Sequence, residues 1–355
     1  MDQAQDIAGE PARAARIRGL DSIRFIAAAI VMFAHTGQPP LRVGIDTHTL
    51  AGRALDGLLG NTSSSAAAVI AFFVISGFCI HYAHAGNNQI RSLSEYYARR
   101  YIRILIPALA ALAGAAVLHL EMSLFDKSIL WSVAAEIIYY TLYPLLLLAR
   151  RKAGSWLPLI AVSFVFSVMV AATNPLSGAY PVFGLKLNWL LALPCWLLGC
   201  WLADLQTAGR TAWAEKWLWP LRGATWATMV VCSVLRYHSP IGYPWTLNLF
   251  AILVTFWLMA ELAHFSKARP VGWLEWAGGW SYSLYLTHKL TFILLGPLYL
   301  QGLGLIPGWT IQLALLLAGA YVFYLAIERP SHHLARIVGR RLASLRPAAA
   351  ANPAE

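Results

Sequence analysis

The sequence predicts an all-α protein of the membrane: a polytopic helix bundle with about ten transmembrane helices and both termini cytoplasmic. Three observations carry this expectation. Of the 355 residues, 59% are hydrophobic and only 12% are charged, whereas soluble domains carry roughly 25% charged residues. The apolar residues fall in runs near the 20 or so needed to cross the hydrocarbon core. The basic residues are distributed unevenly between those runs, as the positive-inside rule requires.

Spans are expected near 20–37, 65–84, 102–120, 129–149, 157–173, 187–204, 222–236, 245–264, 281–300 and 309–327. With the N-terminus cytoplasmic, 20 of the 27 Lys and Arg fall on inner segments and five on outer loops (Arg42, Arg53, Lys127, Lys186, Arg236). Arg24 and Lys289 lie within spans. The net charge of +11 therefore orients a membrane protein; it does not form the polar stripe of a nucleic-acid binder. The mean hydropathy is +0.58. The first apolar run contains Arg24 and His35 and has no small-residue cleavage site after it, so it reads as a retained span. Residues 1–18 read as a disordered cytoplasmic start, 19–330 as the membrane domain, and 331–355 as a basic then disordered cytoplasmic tail. Cys79, Cys195, Cys200 and Cys232 lie in or beside apolar segments and read as reduced packing residues. The loop 38–64 is either a lid or acceptor contact, or a plain connector.

Ionisable groups inside spans are costly and usually functional. In the first span Arg24 and His35 are eleven residues apart, three turns plus about 20°, so they share a face about 16 Å apart along the axis, with the small Ala28 between them. Arg24 alone could be a snorkelling anchor. The fourth span carries Ser132 and Glu136 on one face, Glu136 at nearly the depth inferred for His35. A carboxylate there could orient the imidazole and stabilise its protonated form, or simply bond a neighbouring helix. Arg99, Arg100 and Arg103 crowd the cytoplasmic entry of the third span, read as a helix N-terminus where guanidinium forks suit phosphate. The ninth span carries Ser281, Tyr282, Ser283, Tyr285 and His288, a polar stripe that is either catalytic or a packing face. His81 and His84 have no third ligand in view, so no metal is expected and both read as interfacial.

Several of these segments fall into short motifs: Gly19-Leu20-Asp21-Ser22-Ile23-Arg24 with His35 (Arg-x10-His), Phe72-Phe73-Val74-Ile75-Ser76-Gly77-Phe78, Arg100-Tyr101-Ile102-Arg103 (Arg-x-x-Arg), Trp131-Ser132 through Glu136, Ser281 through His288, and Glu328-Arg329-Pro330. Together and in this order they resemble acyltransferase family 3, membrane enzymes that O-acylate exported carbohydrates and related acceptors. The chain departs from the family's frequent acidic-acidic-Gln run, since Ala135-Glu136-Ile137 stands there. The esterase-like domain that some relatives carry is not seen.

The resemblance implies a cytoplasmic acyl-CoA donor, commonly acetyl-CoA, and a carbohydrate or lipid-linked glycan hydroxyl acceptor beyond an inner or plasma membrane. Arg100 and Arg103, with Arg24 and Arg99, would hold the donor's phosphates. His35 would be general base or acyl relay with Glu136 orienting it, and Ser132 and Tyr285 would stabilise the oxyanion. A proton-coupled secondary transporter is the rival reading, since intramembrane His, Glu and Arg also line ion pathways, but no inverted repeat is evident. A scaffold of a glycan-assembly complex is a weaker third.

Overall fold

In the computed structural model, residues 17–120, 122, 130–296 and 300–344 are described. The N-terminal start 1–16, the tail from Arg346 and Lys127 lie outside them. The described residues are helical, with no strand among them. Helices α1 (Leu20–Thr36), α3 (Ser65–Tyr82), α4 (Leu93–Val117), α5 (Trp131–Ala153), α6 (Leu157–Thr173), α7 (Gly184–Thr207), α8 (Leu218–His238), α9 (Tyr243–Lys267), α11 (Ser281–Leu295) and α12 (Leu305–Phe323) occupy the ten expected positions. Three more helices lie between or after them: α2 (Leu50–Gly60), α10 (Gly272–Gly278) and α13 (Arg329–Ser344). Six helical stretches, containing α3, α4, α5, α7, α9 and α12, are long and apolar enough to cross a membrane. α6 is apolar but shorter, and α1 and α11 are shorter still or equal at 17 and 15 residues.

α3 is the central helix, and its partner is α7. A Cβ at Gly77 would lie 1.9 Å from the Trp196 carbonyl oxygen, and one at Gly199 would lie 2.0 Å from that of Val74. Only glycine at both positions lets the two backbones touch, as small residues do between membrane helices. Phe73, Tyr139, Tyr143 and Trp196 then fill the space toward α5 with edge-on and tilted ring contacts.

Local capping sets two helix starts that matter below. Ser92 accepts from the Glu95 amide at 3.3 Å, so α4 begins at Leu93. Arg100 and Arg103 therefore sit in its second and third turns, not at its N-terminus, because the Ser92-x-x-Glu95 box starts the helix nine residues before the apolar run. At α1 the cap comes from far along the chain. Glu275 of α10 accepts from the Gly19 and Ser22 amides, both at 3.2 Å, and from the Ser22 hydroxyl at 2.7 Å. The segment 38–64 contains α2, an exposed helix capped by Thr49.

Candidate active site

Two polar clusters lie along α1, one at each end. The first is a cavity of about 540 Å³ among α1, α3, α4, α5 and α11, reached by Arg24, Arg100 and Arg103. Arg24 meets Asp21 loosely at 3.7 Å, and its buried Nε makes no hydrogen bond. The Arg100 guanidinium lies 5.9 Å from the centre of the Tyr140 ring. Arg103 has no ion-pair partner among the described residues. The carboxylates nearby are turned to other donors. Glu136 accepts from the Ser76 hydroxyl at 2.6 Å and from the Tyr140 hydroxyl, while Ser76 in turn accepts from Trp196 Nε1 at 3.3 Å. Glu328, 3% exposed, accepts from the Ser283 amide at 3.0 Å and from its hydroxyl. A π-helical turn, Tyr324–Glu328, joins α12 to α13 and aims that carboxylate inward. Three guanidinium groups thus converge with most of their donors open. An arginine carries five N–H groups and no acceptor, so a cavity built this way is suited to an anionic guest.

The second cluster is at the other end of α1. His35 Nδ1 lies 2.9 Å from His288 Nε2, and the rings stack 5.1 Å apart, 9° from parallel. His288 is fully buried, and its Nδ1 lies 2.9 Å from the Tyr285 carbonyl and 3.2 Å from that of Leu284. Carbonyl oxygens only accept, so His288 Nδ1 carries a proton. In the neutral pair His288 Nε2 is then an acceptor, His35 Nδ1–H donates to it, and the lone pair of His35 sits on Nε2. A backbone pair of hydrogen bonds therefore fixes the tautomer of a second imidazole. The end of α1 that carries His35 is itself tied down. Gln312 Nε2 donates to the Thr36 carbonyl at 2.8 Å, and Trp309 Nε1 to that of Gly37 at 3.4 Å.

Ser132 and Tyr285 stand between the clusters. Their hydroxyls lie 2.7 Å apart, both side chains line the first cavity, and the Tyr285 ring is 6.3 Å from that of His288.

The structure thus brings Arg24, Arg100, Arg103 and Glu136 together, and Ser132 with Tyr285. Glu136, expected beside His35, instead belongs to the arginine cavity, because equal depth on two helices does not make their faces meet. The residue on His35 is His288, which the sequence left between catalysis and packing. Arg99 pairs with Glu95 at 2.7 Å, off the first cavity. Ala28 is fully buried against Phe25, Met32, Trp280 and Leu284, so it leaves no space beside the Arg24–His35 face. His81 is not interfacial: fully buried, it is held by the Tyr143 hydroxyl at 2.9 Å and Asp204 at 2.8 Å. Ser76, Tyr140 and Glu328 were missed as site residues, although Ser76 and Glu328 stand in motifs noted above.

No curated protein and no solved structure matches this chain. One sequence family does, through the profile of its acyltransferase domain, over residues 17–325. That span takes in the His35–His288 pair, the arginine cluster apart from Glu328 and nearly all of the described bundle, and the chain belongs to acyltransferase family 3.

Proposed function

We propose that the protein is a transmembrane O-acyltransferase that moves an acyl group, acetyl in the simplest case, from cytoplasmic acyl-CoA to a hydroxyl of an extracytoplasmic glycan or related acceptor. The observation that carries this reading is the His35–His288 pair, with the His35 Nε2 lone pair assigned by hydrogen bonding, at the far end of α1 from three converging arginines. Ten spans with both termini cytoplasmic, in an inner or plasma membrane, complete it. That orientation puts the arginine end on the donor side and the imidazole end on the acceptor side.

Arg24, Arg100 and Arg103 hold phosphate oxygens of the donor, and its thiol arm extends through the cavity toward Ser132 and Tyr285. The Ser132–Tyr285 hydrogen bond opens to let the thioester pass, and the freed hydroxyls donate to the carbonyl oxygen as it becomes negative. His35 Nε2 takes the proton of the acceptor hydroxyl while that oxygen attacks the thioester carbon. The C–S bond then breaks, and the departing thiolate recovers the proton from His35 as the CoA thiol. While His35 is protonated, its Nδ1–H bond to His288 becomes charge-assisted and stronger. The same lone pair would serve a covalent acyl-imidazole relay. Glu136 fixes Ser76 and Tyr140 in the wall that Arg100 lies against.

The test is the purified protein in lipid nanodiscs with acetyl-CoA and a panel of glycans. His35→Asn should keep a wild-type melting profile yet lose acyl transfer by about 10²- to 10⁴-fold. A near-normal rate in His35→Asn sinks the assignment. Orientation is tested by reporters, which should be cytoplasmic after Arg151 and extracytoplasmic within 38–64. The reverse pattern would swap donor and acceptor sides and overturn the mechanism.

A further inference from the structure

Beside the arginine cavity lies a second one of about 470 Å³, and the two share Arg100 and Arg103. Its walls come from the segment after α3, the first turns of α4 and one face of α13. Five arginines line it: Arg91, Arg99, Arg100, Arg103 and Arg336. One carboxylate faces them, Glu95, and it is committed to Arg99. Four guanidinium groups around one small volume repel each other unless an anion enters.

α13 lies beyond the family match, which ends at residue 325. It is nevertheless seated firmly on α4. Ser331, Ala335 and Gly339, four apart, are its buried stripe. A Cβ at Gly339 would lie 2.4 Å from Arg99 Nε, so the Arg99 side chain crosses α13 at the one residue that lacks a side chain. The register this sets puts Arg336 at the cavity rim. Flat surfaces are present too: the His84 and Tyr96 rings line the same cavity, edge to face at 5.9 Å.

Resting on the donor reading above, we infer that this second cavity takes the nucleotide end of the acyl-CoA, with Arg336 of α13 and Arg91 binding the ribose 3′-phosphate. The shared pair Arg100 and Arg103 then meets the pyrophosphate. The thiol arm leaves through the first cavity. α13 is in this way a specificity element: it separates a 3′-phosphorylated donor from one lacking that group.

The experiment is competition binding to the full-length protein in neutral phosphatidylcholine nanodiscs, comparing acetyl-CoA with acetyl-dephospho-CoA. Wild type should prefer acetyl-CoA by about tenfold or more, as expected for one charge-assisted contact. Arg336→Ala and Arg91→Ala should each cut that preference to roughly threefold or less, leave the affinity for acetyl-dephospho-CoA unchanged, and keep the melting profile. Arg336→Lys should restore part of it. A wild type that binds both donors equally, or an Arg336→Ala that keeps the full preference, overturns the assignment and leaves the donor reading standing. A wild type that binds neither donor overturns the donor reading and this inference with it.

Discussion

Two imidazoles in this bundle, His81 buried and His35 half-buried, differ in what surrounds them. His81, between α3, α5 and α7, has both ring nitrogens engaged, by Tyr143 and Asp204, and Arg150 closes the set on the other oxygen of Asp204 at 2.8 Å. Trp156 packs edge-on against the ring. Nothing there is left to react, and the group ties three helices together. His35, between α1 and α11, has one nitrogen held by His288 and the other assigned as a lone pair. The arginines differ in the same way, since Arg150 is spent on Asp204 whereas Arg24, Arg100 and Arg103 are not spent on a carboxylate at hydrogen-bonding distance. A saturated polar group stabilises; an unsaturated one in a polar cavity is available for a substrate.

Substitution at the paired imidazole should break the contrast most sharply. His288→Ala removes the acceptor that fixes the His35 tautomer, and kcat should fall by about 10- to 1000-fold with the acetyl-CoA KM unchanged. A fall in melting temperature with an unaltered kcat would put His288 in the same class as His81. Next come the arginines. Arg100→Ala and Arg103→Ala should raise the acetyl-CoA KM by about 10- to 100-fold, as loss of a contact to a charged group predicts, and added salt should narrow the gap. Arg150→Ala should leave KM alone. Equal, small effects at all three would reduce the cluster to ordinary inner-face charge.

For His81→Ala the expected loss is of stability, about 1–3 kcal/mol from leaving Asp204 and Tyr143 partly unpaired, read by thermal melting, with kcat per folded molecule near normal. The smallest effect lies at an exposed pair. Lys267, then His264, hold the Glu215 carboxyl below the usual carboxylate range. A depressed carboxylate stabilises the fold above its unfolded pKa, and that contribution is lost as pH falls through the folded value. Lys267→Ala should therefore shift melting slightly at pH 7 and not at all in acid, and an equal shift at both would point to packing instead.

The positions of the helices were legible because apolar run length is a local property. So were the ionisable groups Arg24, His35 and Glu136, since polar residues within such runs stand out. What pairs with what was not. The His35–His288 contact spans 253 residues, and depth along a helix says nothing about which neighbour its face meets, which is how Glu136 was matched to His35 although its partners are the Ser76 and Tyr140 hydroxyls. The start of α4 was in principle readable from Ser92 and Glu95, but hydropathy placed the boundary at the apolar edge, where lipid begins, while the helix continues into the polar side.

The distance between partners also bears on how the protein is made. α1 leaves the ribosome well before its partners, since the carboxylate that caps it, Glu275, follows Ser22 by 253 residues, and the imidazole paired with His35, His288, follows it by 253. At usual elongation rates that interval is on the order of tens of seconds. During it the nascent chain holds an apolar helix with bare amide groups at one end and an unoriented imidazole at the other. Any chain cut short before α11 therefore lacks the group that orients His35, and the imidazole pair comes into being only once α11 has been made.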